Sequence, residues 1–176
     1  MRRSQVVVRA RRVRLLILDV DGVLTDRRII VSSNGNQIKA FDVRDGFGLV
    51  LARQAGLRTA IITAERSSVV ARRAQQLKVD WVAQFARDKA KAFKRCLAHF
   101  GIPAVAASFI GDDLLDLPVL TQVGLSATVA DGTAELKKRV HYVTAAPGGR
   151  GAVRELVELI LHAQGKWRGI VQRYLP

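Results

Sequence analysis

Four aliphatic residues, Leu15 to Leu18, run directly into Asp19, Val20 and Asp21, with Gly22 next and a further acid at Asp26. Carboxylates at the edge of an apolar run are costly unless something positive meets them. Two readings answer that cost: the acids cap a turn, or they hold a metal ion. Alternate residues of an extended strand face the same side, so Asp19 and Asp21 address one volume. Other stretches supply partners: Thr63 ends "RTAIIT", Lys89 opens a helical stretch, and "GDD" places Asp112 and Asp113 after "AASFI". Hard oxygen ligands without nearby His or Cys favour Mg²⁺ over zinc. An ion held by few carboxylates keeps positions for water and a substrate phosphate. Thr63 can donate to a phosphate oxygen and Lys89 can neutralise it. One carboxylate can attack phosphorus to form an aspartyl-phosphate, while its neighbour acts first as acid and then as base.

Such residues need a scaffold that brings distant stretches to one rim. Residues 13–18 read as a buried strand, and 28–41 as a hairpin in which Asn34-Gly35 supplies positive φ angles. Residues 45–56 read as a helix ending at Gly56, the usual left-handed cap. Strands at 58–63, 81–85, 106–113, 125–130 and 141–144 then alternate with helices at 67–78, 87–101, 132–139 and 151–164. That alternation predicts an α/β fold: a Rossmann-like parallel sheet with helices on both faces and a β-hairpin insertion. In such sheets ligands sit beyond the carboxyl ends of the strands. The expected organisation is a basic N-terminal tail (1–12), one phosphatase-like domain (13–164) and a C-terminal tail (165–176). Only the hairpin and one helix fit between Asp21 and Thr63, and only βα units between Thr63 and Asp112. No separate cap domain is therefore expected, and another subunit must cover the site, with the hairpin as its docking surface.

Composition narrows the function classes. The chain has 176 residues, 49% of them hydrophobic, which suits one globular domain and argues against disorder. A single cysteine, Cys96, forms no internal disulfide, and no apolar run is long enough to span a bilayer. The N-terminal segment has no long apolar core or cleavage site, so a cytoplasmic protein is expected. Lys and Arg number 29 against 15 acids, a net charge of +14. A surface of that sign attracts polyanions. The basic residues are nonetheless spread along the chain without an RNA- or DNA-reading motif, so nucleic acid is not the expected partner; a small anionic substrate is.

The order "DVDGVLTD", "IIT", Lys89 and "GDDLLD" resembles the four motifs of the haloacid dehalogenase superfamily. Over nearly the whole chain, "FDVRDGFG", "GDDLLDLPVL", "VGLSATVADG" and "GGRGAVRE" resemble its capless branch, the 3-deoxy-D-manno-octulosonate 8-phosphate phosphatases of lipopolysaccharide precursor biosynthesis. The resemblance implies Asp19 as nucleophile and Asp21 as general acid/base and backbone-carbonyl metal ligand. It implies Asp112 as the other carboxylate ligand, and Thr63 and Lys89 on the phosphate. Asp113 and Asp116 would support the metal shell and Lys89. Arg44, Asp45, Gly46 and Arg73 fall where that family binds its sugar acid, and the family assembles as tetramers. Asp42 is a further candidate contact, and Arg150 sits in a glycine-rich loop that reads either as a second anion contact or as an ordinary turn before a helix.

Two positions depart from the pattern. Ala64-Glu65 stands where the family commonly has Gly-Arg, and Val50 where an arginine often stands. A glutamate at position 65 is similar to phosphatases acting on nine-carbon, sialic-acid-type 9-phosphates, which keeps that substrate class as an alternative; Glu65 read blandly is a solvated acid or a partner of Arg66. A phosphatase for nucleic-acid ends is a more distant alternative. His99, His141 and His162 share no metal spacing and read as structural, and Cys96, Trp167 and Tyr174 as packing or interface residues.

Overall fold

The computed structural model describes residues 3–175. In chain order it contains helix α1 (Arg3–Arg11), strand β1 (Leu15–Leu18), short strands β2 (Ile30–Val31) and β3 (Gln37–Ile38), and helix α2 (Val43–Gln54). Next come β4 (Arg58–Ile62), α3 (Ser68–Gln76), β5 (Trp81–Ala83), α4 (Lys89–Phe100), β6 (Ala107–Gly111) and α5 (Leu117–Leu120). The chain closes with β7 (Leu125–Thr128), α6 (Ala134–Lys137), β8 (Tyr142–Val143), α7 (Ala152–Ala163) and α8 (Trp167–Gln172).

Six strands form one parallel sheet in the order β5-β4-β1-β6-β7-β8, and β2 pairs with β3 as a separate antiparallel hairpin. Strand β1 is central, with β4 on one side and β6 on the other. Its four residues are fully buried. Leu16 and Leu18 pack with apolar residues of α1, α2, α3 and α7, whereas Leu15 and Ile17 pack with Phe93 of α4, Val119 of α5 and Leu136 of α6. A sheet covered on both faces explains why its strands read as continuous apolar runs. The connections diverge from β1 to neighbours on either side, which makes the carboxyl end of β1 the switch point where α/β sheets bind ligands. Among the described residues there is no separate cap domain.

The structure departs from the sequence reading mainly at the ends. The stretch expected as a basic tail forms α1 from residue 3 onward, with Val6 and Ala10 buried against the same core as α7. The C-terminal stretch likewise forms α8, with Ile170 buried. Residues 1, 2 and 176 of those two tails lie outside the described residues. In the hairpin only Gly35 has a positive φ, 80°; a five-residue turn closed by Ser32 and Asn36 needs one left-handed residue, not two. Strands β5 and β8 are shorter than the apolar runs that suggested them, since edge strands have a partner on one side only. Cys96 is buried in the α4 core, and burial pushes its thiol up to about 12.

One polar contact ties the layers together. Asp45, in the first turn of α2, is buried, and its carboxylate accepts from the backbone N–H groups of Gly151 (3.0 Å) and Arg154 (2.8 Å) at the start of α7. It satisfies donors that a helix start leaves open. Asp45→Ala is expected to lower stability by about 1–3 kcal/mol, read from urea unfolding, with faster amide exchange at Gly151 and Arg154.

Candidate active site

Asp19 follows β1 directly, and its backbone N–H donates to the Ile110 carbonyl at 3.0 Å, which fixes it beside the end of β6. Asp112 follows β6 and Thr63 follows β4, so the three strand ends meet at one rim. Lys89 reaches the same place from the first turn of α4. Its Nζ lies 3.0 Å from Asp19 Oδ2 and 2.6 Å from Asp116 Oδ1, and its side chain is 3% exposed. Carboxylate oxygens of Asp19, Asp112 and Asp116 all lie within 4.8 Å of one another.

Asp116 is already committed. Besides Lys89 on Oδ1, its Oδ2 accepts from the backbone N–H of Asp112 (2.9 Å) and Asp113 (3.3 Å). It positions Lys89 and the β6 loop, which leaves Asp19 and Asp112 as the carboxylates able to hold a cation. Two carboxylates at a site open to substrate suit Mg²⁺, which keeps much of its shell for water and phosphate. Asp113 does not join them: it is exposed, and its carboxylate accepts from the Leu114 N–H. Of the two acids expected to support the site, Asp116 alone faces Lys89, because a capping turn directs Asp113 outward.

The electrostatics also suit a cation. Burial, and then the nearby Asp116, raise Asp19 to about 7, against the opposing pull of Lys89. Burial and Asp116 raise Asp112 to about 6. For Lys89, burial acts downward, but Asp19 and Asp116 win and hold the ammonium above its ordinary range. A divalent cation would stabilise the ionised carboxylates and offset their desolvation.

Asp21 lies in the turn after β1, and Lys39 of the hairpin forms an ion pair with its Oδ1. Its Oδ2 is buried with no hydrogen-bond partner among the described residues. Lys39 was not singled out in the sequence. A lone lysine in "QIKAF" carries no signal of its own; only the path of the hairpin brings it to Asp21. Gly22, φ 92°, is required here because a Cβ would stand 2.0 Å from Asp112 Oδ2. Thr63 is buried, with its Oγ1 accepting from the Glu65 N–H at 3.4 Å.

A second group borders this rim. Gly149 donates to the Val23 carbonyl at 2.9 Å, and a Cβ on Gly148 would stand 1.8 Å from the Gly22 carbonyl oxygen. Glycines thus let the "GGRG" loop press directly on the loop that carries Asp21. The same loop holds Arg150, whose carbonyl accepts from Arg44 at 3.2 Å. Asp42 caps α2: burial acts upward on it, yet hydrogen bonds from Arg44 and Asp45 hold its carboxyl below the ordinary range. Arg73 of α3 passes Gly46, where a Cβ would stand 2.4 Å from the guanidinium, and lies over the Phe41 ring at 5.6 Å. Its buried Nε has no hydrogen-bond partner among the described residues.

Arg73 and Arg150 are therefore available to an anion and Arg44 is shared with Asp42 at 3.3 Å, whereas Asp45 and Gly46 serve packing: the aspartate's oxygens are used on α7, and the glycine makes room for Arg73. Glu65 is exposed beyond Thr63 and forms no ion pair with Arg66 or any other described residue. Val50, on α2, is partly buried.

This constellation on a parallel sheet defines a phosphotransferase-type hydrolase, and residues 60–156 match the haloacid dehalogenase-like hydrolase family, to which the chain belongs. Within that class it is 44% identical over 163 residues to the 3-deoxy-D-manno-octulosonate 8-phosphate phosphatase of Escherichia coli K12, covering 93% of this chain and 87% of that protein. The crystal structure of the Yersinia pestis phosphatase of the same name superposes with a TM-score of 0.92 at 44% identity, covering 94% of this chain and 89% of that one. The Moraxella catarrhalis phosphatase, solved with magnesium ion, phosphate ion and KDO, superposes with a TM-score of 0.97 at 36% identity, covering 99% and 100% of the two chains.

The raised carboxyls carry a consequence for stability. Asp19 and Asp112 bind protons in the folded state up to about pH 7 and 6, whereas an unfolded aspartate releases its proton near 3.8. The contribution of these two groups to the stability of the metal-free protein therefore falls as pH rises from about 4 to about 7, and levels off above that. Asp112→Asn should stabilise the metal-free protein at pH 7.5 by on the order of 1–2 kcal/mol, while Mg²⁺ should raise the Tm of the unmodified protein more at pH 7.5 than at pH 5. Thermal scans with and without chelator check both.

Proposed function

We propose that the protein is a Mg²⁺-dependent phosphatase that hydrolyses 3-deoxy-D-manno-octulosonate 8-phosphate, through an aspartyl-phosphate, in lipopolysaccharide precursor biosynthesis. The observation that carries this reading is the buried Lys89–Asp19 pair beside Asp112, at the switch point of a chain that shares 44% of its residues with octulosonate 8-phosphate phosphatases.

Asp19 is the nucleophile. Its carboxylate oxygen forms a bond to phosphorus as the bond from phosphorus to the sugar oxygen breaks, and Asp21 gives its proton to that leaving oxygen. Lys39 holds one oxygen of Asp21, which leaves Oδ2, without a hydrogen-bond partner among the described residues, as the oxygen that passes the proton. Asp21 then takes a proton from water as the water oxygen attacks phosphorus, releasing phosphate and restoring Asp19. Thr63 and Lys89 hold the phosphoryl oxygens, and Asp116 keeps Lys89 in place. Asp19, Asp112 and the Asp21 carbonyl would hold Mg²⁺, which would supply charge neutralisation for the phosphoryl group and for the crowded carboxylates. Arg44, Arg73 and Arg150 meet the sugar acid's carboxylate and hydroxyls.

The hairpin supports assembly. Ile29, Ile30, Val31 and Ile38 are all about half exposed or more, an apolar surface concentrated on one projecting element. A homotetramer in which hairpins dock and neighbours cover the site fits both this surface and the lack of a cap. No helix among the described residues is long and apolar enough to cross a membrane, and a cytoplasmic location belongs to the same proposal.

Glu65 favours a second reading at the level of substrate. An exposed carboxylate two residues past Thr63 repels a sugar-acid carboxylate but accepts hydrogen bonds from hydroxyls or an ammonium group, as a nine-carbon 9-phosphate would offer. Two experiments test the proposal. Asp19→Asn should remain folded yet lose turnover by well over tenfold, since an amide is a poor nucleophile; activity within tenfold of the unmodified enzyme would refute the assignment. Glu65→Arg should shift kcat/KM toward octulosonate 8-phosphate, relative to nine-carbon 9-phosphates, by about tenfold. A rate panel on both substrates checks the ratio, and an unchanged ratio would make Glu65 a bystander.

A further inference from the structure

Arg27 has φ 69°, in the left-handed region that side chains other than glycine seldom occupy. Contacts with two residues, Asp112 and Asp131, hold it there. Its Nε lies 3.3 Å from Asp112 Oδ2, and one terminal nitrogen lies 2.5 Å from Asp131 Oδ2 and donates to the Asp131 carbonyl at 2.7 Å. Asp131 is held in turn, its Oδ1 accepting from the Gly148 N–H at 2.9 Å. Backbone strain that persists at a site marks a residue its surroundings over-determine. The hydrolytic steps above make no use of this side chain.

We infer that Arg27 is a resident counter-ion of Asp112, one that opposes the incoming divalent cation and so sets the affinity of the site for its metal. The inference rests on the reading of Asp112 as a metal carboxylate. Lys89 pairs with Asp19 and Asp116, and among the described residues Arg27 alone forms an ion pair with Asp112. Without metal, the guanidinium relieves the repulsion among three crowded carboxylates. With metal, the same positive charge beside Asp112 repels the ion, and its hold on Oδ2 competes for the oxygen. Removing the charge therefore strengthens metal binding even though it removes a polar contact from the site.

Calorimetric titration of the chelator-treated full chain with MgCl₂ tests this, using Arg27→Gly, Arg27→Gln and Asp112→Asn beside the unmodified protein. Glycine adopts φ 69° without strain, and glutamine keeps a polar side chain without the charge, so agreement between them isolates the charge from the backbone. Both are expected to bind Mg²⁺ about fivefold or more tightly than the unmodified protein, the scale of one half-exposed charge contact. Unchanged or weaker binding in either variant overturns the inference. Asp112→Asn separates it from the metal reading. Loss of Mg²⁺ binding there, with unchanged affinity in the Arg27 variants, sinks the Arg27 role alone; binding by Asp112→Asn as tight as in the unmodified protein sinks both.

Discussion

The site depends on one buried ammonium group. Lys89 Nζ sits between Asp19 and Asp116 at 3.0 and 2.6 Å, almost without exposure to water. Removing the lysine would leave uncompensated buried carboxylates and cost about 3–5 kcal/mol. The lysine cannot balance the site, however. Asp19, Asp112 and Asp116 bring three carboxylates against it, and the first two stay raised to about 7 and 6. The protein thus holds negative charge that a bound cation would satisfy, at the expense of the metal-free fold.

Around that pair the backbone is arranged by close approach. Gly111 lacks a Cβ that would stand 2.3 Å from Asp116 Oδ2, so the end of β6 can lie against the acid that holds Lys89. Gly22 does the same for Asp112, and Gly148 for the loop after β1. Asp45 then locks α2 to α7, with the "GGRG" loop between them. The groups that would bind phosphate and those that would bind the sugar acid therefore share a rigid frame: both are tied to the loop that carries Asp21, one through β1 and β6, the other through Gly148 and Gly149.

The sheet was legible because β1 is apolar throughout, β4 and β6 are mostly apolar, and amphipathic stretches separate them. The rim could be read for the same reason, since Asp19, Thr63 and Asp112 each interrupt an apolar run at its carboxyl end, and Lys89 opens a helix. What escaped the sequence depends on contacts between segments far apart in it. Lys39 and Arg27 look like ordinary surface cations until the hairpin's path brings one to Asp21 and a left-handed turn brings the other to Asp112. Asp45 sits in a motif shared with sugar-acid phosphatases and so looked like a ligand; its oxygens are spent on α7. The basic N-terminal stretch looked like a tail because Arg residues mask the spacing of Val6 and Ala10, which α1 buries.

The central claim is that Asp19 becomes phosphorylated during turnover. Borohydride reduction of enzyme quenched during steady-state hydrolysis, followed by peptide mass mapping, tests it directly, since an aspartyl-phosphate is reduced to homoserine. Homoserine at position 19, with positions 21, 112 and 116 left as aspartate, is the expected result. Homoserine at another of these positions, or none while phosphate is being released, would contradict the account.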